Sequence, residues 1–513
     1  MITEDQNEVM AFLSEPSSHG GAPVEKIETH SAVVFLSGTR AWKLKRAVRY
    51  DYLDFSTLER RKEMCEAEMK INRRTAPDLY LRVVSVTREQ DGSLALGGVG
   101  LPIEWVLEMV RFDQEALFDR LAVSGRLDMQ LMRGLASAIA RFHSIAERRA
   151  DRGGRAGIAW VIDGNEAGFA SQGAGILDAD RCASLTRKAR TSLEGFGAQL
   201  DERREAGFVR QCHGDMHLRN IVLIDGRPTL FDAIEFNDEI ACIDVLYDLA
   251  FLLMDLWRRG LPAHANVVWN RYLAETGDLS GIALMPFFLS CRAAVRAKTS
   301  ATSAIFQSDS HHGKEFENIA RSYLSMATTM LIPQPPCLVA VGGLSGSGKS
   351  TLALKISPSL GAAPGALTLR SDEIRKQLFG VPEFSRLGAD GYTDAASRRV
   401  YATMAEYASI AIHRGYSVVA DAVFANLADR VDIEAVASAL SVPFVGIWLD
   451  APQSILSARV GNRQGDASDA DAAVVRSQLN RDTGPIHWQR IDASSNPDLV
   501  LQQATDLLNK RLG

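Results

Sequence analysis

Apolar residues in the early part of the chain come in short runs cut by charged or polar turns. Residues 32–36 (Ala-Val-Val-Phe-Leu) and 41–45 (Ala-Trp-Lys-Leu-Lys) flank Ser37-Gly38-Thr39-Arg40 and predict a β-hairpin. A charged helical pattern covers 57–74, and strand-like runs follow around 81–86 and 103–109. From about residue 128 helical periodicity dominates. Gly153-Gly154 and the segment 164–175 read as surface loops within it. This order predicts a small sheet-plus-helix lobe followed by a larger helical lobe.

A different rhythm begins after Pro333-Gln334-Pro335-Pro336. The prolines follow a helical stretch, 315–330, that they cannot continue, so a domain boundary is expected at 332–336. Beyond it, apolar strand runs at 337–342, 417–421 and 444–449 alternate with helical patterns at 349–356, 394–413, 429–439 and 471–480. Such alternation predicts βαβ units and a parallel sheet. The expected fold class is therefore an α+β two-lobed domain over 1–332, with a small lobe at about 20–108 and a large lobe at about 112–330. An α/β domain over 337–513 follows it.

Composition narrows the class without naming a chemistry. The 513 residues suggest two to four domains at roughly 150 residues each. Lys and Arg number 57 against 63 Asp and Glu, for a net charge of −6, which argues against nucleic-acid coating. The six cysteines (65, 182, 212, 242, 291, 337) are scattered and form no CxxC pair, so neither a disulfide framework nor a structural zinc site is expected. The N-terminus is acidic where a signal peptide would be basic and then apolar. The most apolar long segment, 245–257, is too short to span a bilayer, and Asp248 and Asp255 interrupt it. A reduced, cytoplasmic protein with no membrane partner is expected.

Gly343-Leu344-Ser345-Gly346-Ser347-Gly348-Lys349-Ser350-Thr351 fits GxxxxGK[ST] between a predicted strand and a predicted helix. Glycines let backbone N–H groups face phosphates, and the helix N-terminus adds partial positive charge. Lys349 would reach the β/γ oxygens, and the Ser350 hydroxyl would ligate Mg²⁺. Asp372, in Ser371-Asp372-Glu373-Ile374-Arg375, falls at a predicted strand end, where a carboxylate can take a proton from an attacking hydroxyl. Helix capping by Ser371 or Asp372 is the competing reading. Arg375, one turn on, can orient the acceptor or its charge. Asp421, at the end of another run, can hold Mg²⁺ through water or contact the acceptor. Arg459 and Arg463 lie four apart before a polar loop, the placement of lid cations, although exposed arginines are commonly surface charge.

Together with Val419-Ala420-Asp421-Ala422 and Trp448-Leu449-Asp450-Ala451-Pro452, these motifs resemble the small P-loop kinase group that includes polynucleotide-kinase-like and zeta-toxin-like proteins. The resemblance covers about 337–510. It implies Asp372 as acceptor base, phosphate binding by Arg459 or Arg463, and a reaction type, with the acceptor left open.

The first domain carries a second constellation. Cys212-His213-Gly214-Asp215-Met216-His217-Leu218-Arg219-Asn220 precedes an apolar run, an Asp225-Gly226 turn and Pro228-Thr229-Leu230-Phe231-Asp232. Asp-Gly between apolar runs predicts a tight hairpin that returns Asp232 beside Asn220. That amide and carboxylate can hold Mg²⁺, and Asp215 can receive the acceptor's proton. A structural turn, in which His213, Asp215 and Asn220 satisfy backbone groups, is the alternative.

This spacing resembles the aminoglycoside phosphotransferase family, which shares the protein-kinase fold. Residues 231–238 with 244–251 look closer still to a branch of it that is fused to a P-loop domain. The resemblance covers about 20–325 and implies Asp215 as base and Asn220 and Asp232 as metal ligands. It also implies Lys43 on α/β phosphates paired with Glu68, and adenine bound by backbone at Glu108-Met109-Val110. Lys45 rivals Lys43, since both point to one strand face; an exposed edge strand and a solvated helix face explain the lysines and Glu68 equally. Gly214 stands where protein kinases have the HRD arginine, so activation-loop control is not expected. The first small-lobe turn, at 28–31, has no glycine-rich loop. The combined expectation is a bifunctional phosphotransferase using ATP and Mg²⁺ on small-molecule hydroxyls, sugars or sugar nucleotides among them. The competing expectations are a catalytic P-loop domain with a binding module, and an ATP-hydrolysing switch.

Overall fold

The computed structural model describes residues 2–29, 31–50, 52–306, 311–461, 467–494 and 496–512. His30 and Arg463 lie outside the described residues. By contact the chain groups into two compact units, Met1–Ala167 with Arg190–Asp255, and Gly168–Ala189 with Leu256–Gly513.

In the first unit, alternating side chains build a six-stranded sheet around the predicted hairpin. β1 (Val24–Glu28), β2 (Ala32–Ser37) and β3 (Arg40–Lys45) form an antiparallel meander in which Val34 pairs with Lys43. α1 (Leu58–Asn72) begins at Thr57, whose hydroxyl accepts the Arg60 N–H. β4 (Tyr80–Arg88), β5 (Leu94–Leu96) and β6 (Leu101–Val110) complete the order β1-β2-β3-β6-β4-β5. One apolar cluster gathers Val33, Phe35, Trp42, Leu44, Val84 and Val106, and a second gathers Leu36, Ala41, Tyr80, Leu107 and Met109. In β2, β3 and β6 each cluster takes alternate residues, as the period of two requires; in β4 a register shift between Tyr80 and Arg82 separates Tyr80 from Val84.

Helices follow. Asp128 caps α2 (Met129–Ile145) by accepting the Leu131 N–H. The segment expected as a loop at 164–175 is instead helical through Ser171, within α3 (Gly154–Ser171). Of its four glycines, Gly168 serves packing: a Cβ there would lie 2.2 Å from Lys298 Cδ. After α4 (Ala179–Glu205) comes the predicted hairpin, β7 (Ile221–Ile224) and β8 (Arg227–Leu230). Asp225 and Gly226, at φ 49° and 73°, supply the two left-handed residues its turn needs. α5 (Val245–Arg258) is buried along nearly its whole length.

The second unit contains α6 (Pro262–Thr276), α7 (Met285–Phe306) and α8 (His311–Met330) ahead of the proline connector. Among the described residues Leu279–Ile305, not 245–257, is the stretch long and apolar enough to cross a membrane, and 67% of its most apolar window is buried in the fold. After the connector run β9 (Leu338–Gly343), α9 (Lys349–Ile356), β10 (Leu367–Arg370), α10 (Ser371–Leu378), α11 (Asp394–His413), β11 (Val418–Asp421), α12 (Leu427–Ala439), β12 (Phe444–Asp450), α13 (Gln453–Gly461), α14 (Ala472–Leu479), β13 (Gln489–Asp492) and α15 (Pro497–Leu512). The strands form a five-stranded parallel sheet ordered β10-β11-β9-β12-β13. Every residue of central β9 is buried, which is why it reads as an unbroken apolar run.

Along the β10 edge, α6 supplies side chains where a further strand would supply backbone. Thr368 N–H donates to Asn270 Oδ1 at 2.7 Å. Asn266 Nδ2 donates to Pro364 O and Ala366 O at 3.0 and 3.1 Å. The expected fold class holds: a mostly antiparallel sheet with helices comes first, and a parallel P-loop-type sheet second.

Candidate active sites

The glycine-rich run forms the turn between β9 and α9. Gly343, Gly346 and Gly348 take φ values of 144°, 86° and 91°, open to glycine and strained for other residues. Gly348 is the N-cap of α9, so Lys349, Ser350 and Thr351 occupy its first turn, where a helix offers free N–H donors. Lys349 is buried, Ser350 half-buried and Thr351 exposed. Ser347 Oγ is buried with no partner among the described residues.

Asp421 ends β11, in register with Val341 of β9 and Arg370 of β10. Burial pushes its carboxyl up from the ordinary range, against the pull of Arg370, Lys349 and the Ser350 hydroxyl. Arg370 Nε stands 3.4 Å from Oδ2, while Oδ1 is buried without a hydrogen-bond partner among the described residues. An orphaned carboxylate oxygen beside a P-loop serine suits a divalent cation. Asp421 thus ends the strand beside β9, close to Lys349 and Ser350.

Asp372 sits in the first turn of α10, which starts where β10 ends. Capping does not explain it: the N-cap is Arg370, with no side-chain cap bond. Arg375 is buried, donates Nη1 to Gly391 O at 2.6 Å and stacks 5.0 Å over Tyr392. Its Nε has no partner among the described residues, so a buried guanidinium stands one turn from Asp372 without a carboxylate. Sequence reasoning missed the neighbouring Lys376, which is buried and 2.6 Å from Asp469. Asp469 Oδ2 also accepts from Tyr392 Oη and the Leu387 N–H at 2.6 and 2.9 Å. No local motif marks that carboxylate; it acts from 93 residues away. Arg459 is half-buried near the end of α13.

In the first unit, β3 and α1 bring Lys43, Lys45 and Glu68 together. Lys43 Nζ lies 2.7 Å from Glu68 and 2.5 Å from Asp232, and Lys45 Nζ lies 2.6 Å from Glu68 and 2.5 Å from Glu235. Burial would raise the Glu68 carboxyl, but the two lysines overcome it and hold the group at about 2. The reading of these residues as exposed strand and helix faces is excluded: Glu68 is fully buried, and the Lys45 side chain is 3% accessible against 17% for Lys43. Glu235, part of the 231–238 motif but given no role from sequence, is the second anchor; it sits three residues past Asp232.

Asp232 takes a left-handed φ of 61°, and its N–H donates to Tyr80 Oη at 3.0 Å. The next N–H, of Ala233, donates to Asn72 Oδ1 at 2.8 Å. As the hairpin predicts, Phe231 N–H returns to Asn220 O at 3.0 Å. Asn220 Nδ2 donates to Asp215 Oδ2 at 3.1 Å, and His217 Nε2 stands 3.4 Å from the same oxygen. Asp248 accepts the His213 and Gly214 N–H groups at 3.1 and 2.9 Å, fixing the turn that presents Asp215. Asp248 also meets His143 Nε2 at 3.1 Å, which accounts for the buried His143–Cys212–Asp248 grouping. Burial lowers the His213 imidazole, and its Nε2 hydrogen-bonds Phe231 O at 2.9 Å.

The adenine contact expected at Glu108 and Val110 does not fit. Val110 N–H already donates to Leu79 O at 2.9 Å. Glu108 is laddered on both sides by β3 and β4, and Arg40 and Arg82 hold its carboxylate at 3.3 and 2.7 Å. Both groups are consumed by the sheet.

Residues 338–485 match the family model described as AAA domain. An uncharacterized protein of Mycobacterium tuberculosis is 29% identical over 493 residues, 93% of this chain and 94% of its own. The adenylyl-sulfate kinase of Myxococcus xanthus is 30% identical over 117 residues, 23% of this chain and 59% of that protein. Among solved structures, a choline/ethanolamine kinase family protein from Mesorhizobium loti covers 63% of this chain and 94% of its own at 11% identity, with a TM-score of 0.40. A sugar kinase from Janibacter sp. HTCC2649 covers 34% and 95% at 21% identity, with a TM-score of 0.26.

Proposed function

We propose that the chain is an ATP-dependent phosphotransferase with two kinase-type sites, one centred on Lys349 and Asp372 and one on Lys43 and Asp215. The observation that carries the reading is the orphaned Asp421 oxygen beside Ser350 and Lys349, at the mouth of a glycine turn one strand from Asp372. Lys349 and the first N–H groups of α9 would bind the β- and γ-phosphates of ATP, and Ser350 with Asp421 would hold Mg²⁺. Bound there, the cation would neutralise phosphate charge.

Asp372 would take the proton from the acceptor hydroxyl as its oxygen bonds to the γ-phosphorus. The bond to the β–γ bridging oxygen breaks, and ADP leaves. Arg375, buried and without a carboxylate partner among the described residues, would orient the acceptor, and Arg459 would meet the transferring group. In the first site Lys43 would serve the phosphates, Asp215 the acceptor proton, and Asn220 with Asp232 the metal. Lys43 is preferred to Lys45 for its greater accessibility. We place the kinase-like domain at 1–332 and the P-loop domain at 337–513, in a cytoplasmic protein acting on small molecules such as sugars or sugar nucleotides.

One contact favours a second reading, with chemistry in the P-loop site alone: Lys43 Nζ pairs with one oxygen of the Asp232 carboxylate that a metal would need. The test incubates γ-labelled ATP and a small-metabolite extract with wild type, Asp215→Ala or Lys349→Ala. Two kinase sites predict that each substitution removes labelled product. Loss with Lys349→Ala alone makes the first site a binding module, and label found only as free phosphate refutes transfer.

A further inference from the structure

We propose that Gln478 is a positioning residue for the nucleotide loop, fixing its arch against α13 and α14; this rests on the reading of the loop as a phosphate site. Three consecutive loop residues meet that helix pair. Leu344 packs against the cluster of Leu456 and Val460 from α13 and Val475 from α14. Ser345 is gripped by both ends of the Gln478 amide: its N–H donates to Oε1 at 2.8 Å, and Nε2 donates to its Oγ at 3.1 Å. Gly346 lies so near α13 that a Cβ there would sit 2.5 Å from Leu456 O and 3.0 Å from Val460 Cγ2. Gln478 follows Val475 by three positions, so α14 presents both from one face.

The grip braces the arch without occupying the phosphate seat. Ser345 precedes the α9 donors by several residues, and the amide contacts neither Lys349 nor Ser350 in the hydrogen bonds it makes. Holding the loop before nucleotide arrives removes ordering entropy from the binding step. The same contacts tie the loop to the helix that carries Arg459, between Leu456 and Val460. Phosphate seat and lid cation are thereby one mechanical piece.

Binding of Mg²⁺ with a fluorescent N-methylanthraniloyl-ATP to the full chain tests this. Gln478→Ala, and Gln478→Met with similar bulk and no amide, are each expected to weaken binding about tenfold, the order of the cost of immobilising a loop that the grip otherwise holds ready. The thermal midpoint without nucleotide should fall by a few degrees at most, the loss of two hydrogen bonds at one loop, and adding Ser345→Ala should weaken binding no further. Lys349→Ala sets the scale for losing phosphate contacts. Unaltered binding by both Gln478 variants, with Lys349→Ala impaired, overturns the proposal and leaves the phosphate site standing. Unaltered binding by Lys349→Ala overturns both. An equal loss of affinity for adenosine, which has no phosphate, also overturns it, since a merely structural role would give that result.

Discussion

Two lysines on one strand face converge on a single glutamate, and each brings a further carboxylate from the segment after β8. Removing one member leaves buried charge without its counter-ion, which costs about 3–5 kcal/mol. Lys45→Met is therefore expected to destabilise the first unit by that amount in urea denaturation. Lys45→Met with Glu235→Leu should recover most of it, because an apolar pair of similar volume replaces both charges. Retained stability in the single variant would show that the Lys45 bridge contributes little. The sign of the pH dependence follows from Glu68. Its folded carboxyl is depressed from the ordinary 4.5 to about 2, so its contribution is complete above pH 4.5. That contribution should fade as pH falls toward 2, and Glu68→Gln should flatten the acid limb of a stability–pH curve.

At the scale of elements, the asparagines of α6 stand in for a missing strand beside β10, and β10 leads directly into the helix with Asp372. Asn270→Ala strips the Thr368 N–H of its partner and should cost about 1–3 kcal/mol, the penalty for an unmet buried donor. Hydrogen exchange at the Thr368 amide should accelerate before that of β9; equal protection of both strands would contradict it. Neither asparagine was legible in the sequence, because the contact joins positions about 100 residues apart and follows no periodicity. What was legible is local. The βαβ rhythm marked 349–356 and 394–413 to the residue, since the apolar period lies within them and their N-caps, Gly348 and Thr393, directly precede them. The end of β10 was marked only through Asp372, and β13, with one buried position among four, carries too little apolar pattern to stand out. The glycines at 164 and 168 misled, because glycine permits close helix packing as well as loops. Among site residues, Asp372, Lys349 and Asp215 were marked by motifs, whereas Glu235, Lys376 and Gln478 act through tertiary contacts that spacing does not encode.

For the whole molecule, the division into two compact units predicts two transitions in scanning calorimetry. Saturating Mg–ATP, at about 100 times its dissociation constant, should stabilise the unit that holds the P-loop by about 2.7 kcal/mol. Lys349→Ala should abolish that shift; a shift that persists would place the nucleotide elsewhere. The grouping of α6 with the parallel sheet also bears on inheritance. A recombination break at Pro333–Pro336 would look clean in a gene, yet it would part β10 from the asparagines that close its edge. The released half would carry an open strand edge, a template for self-association. A lineage that lost the fusion at that point would have to evolve a new cover for the edge, so the physics of one exposed strand helps keep both halves in a single reading frame.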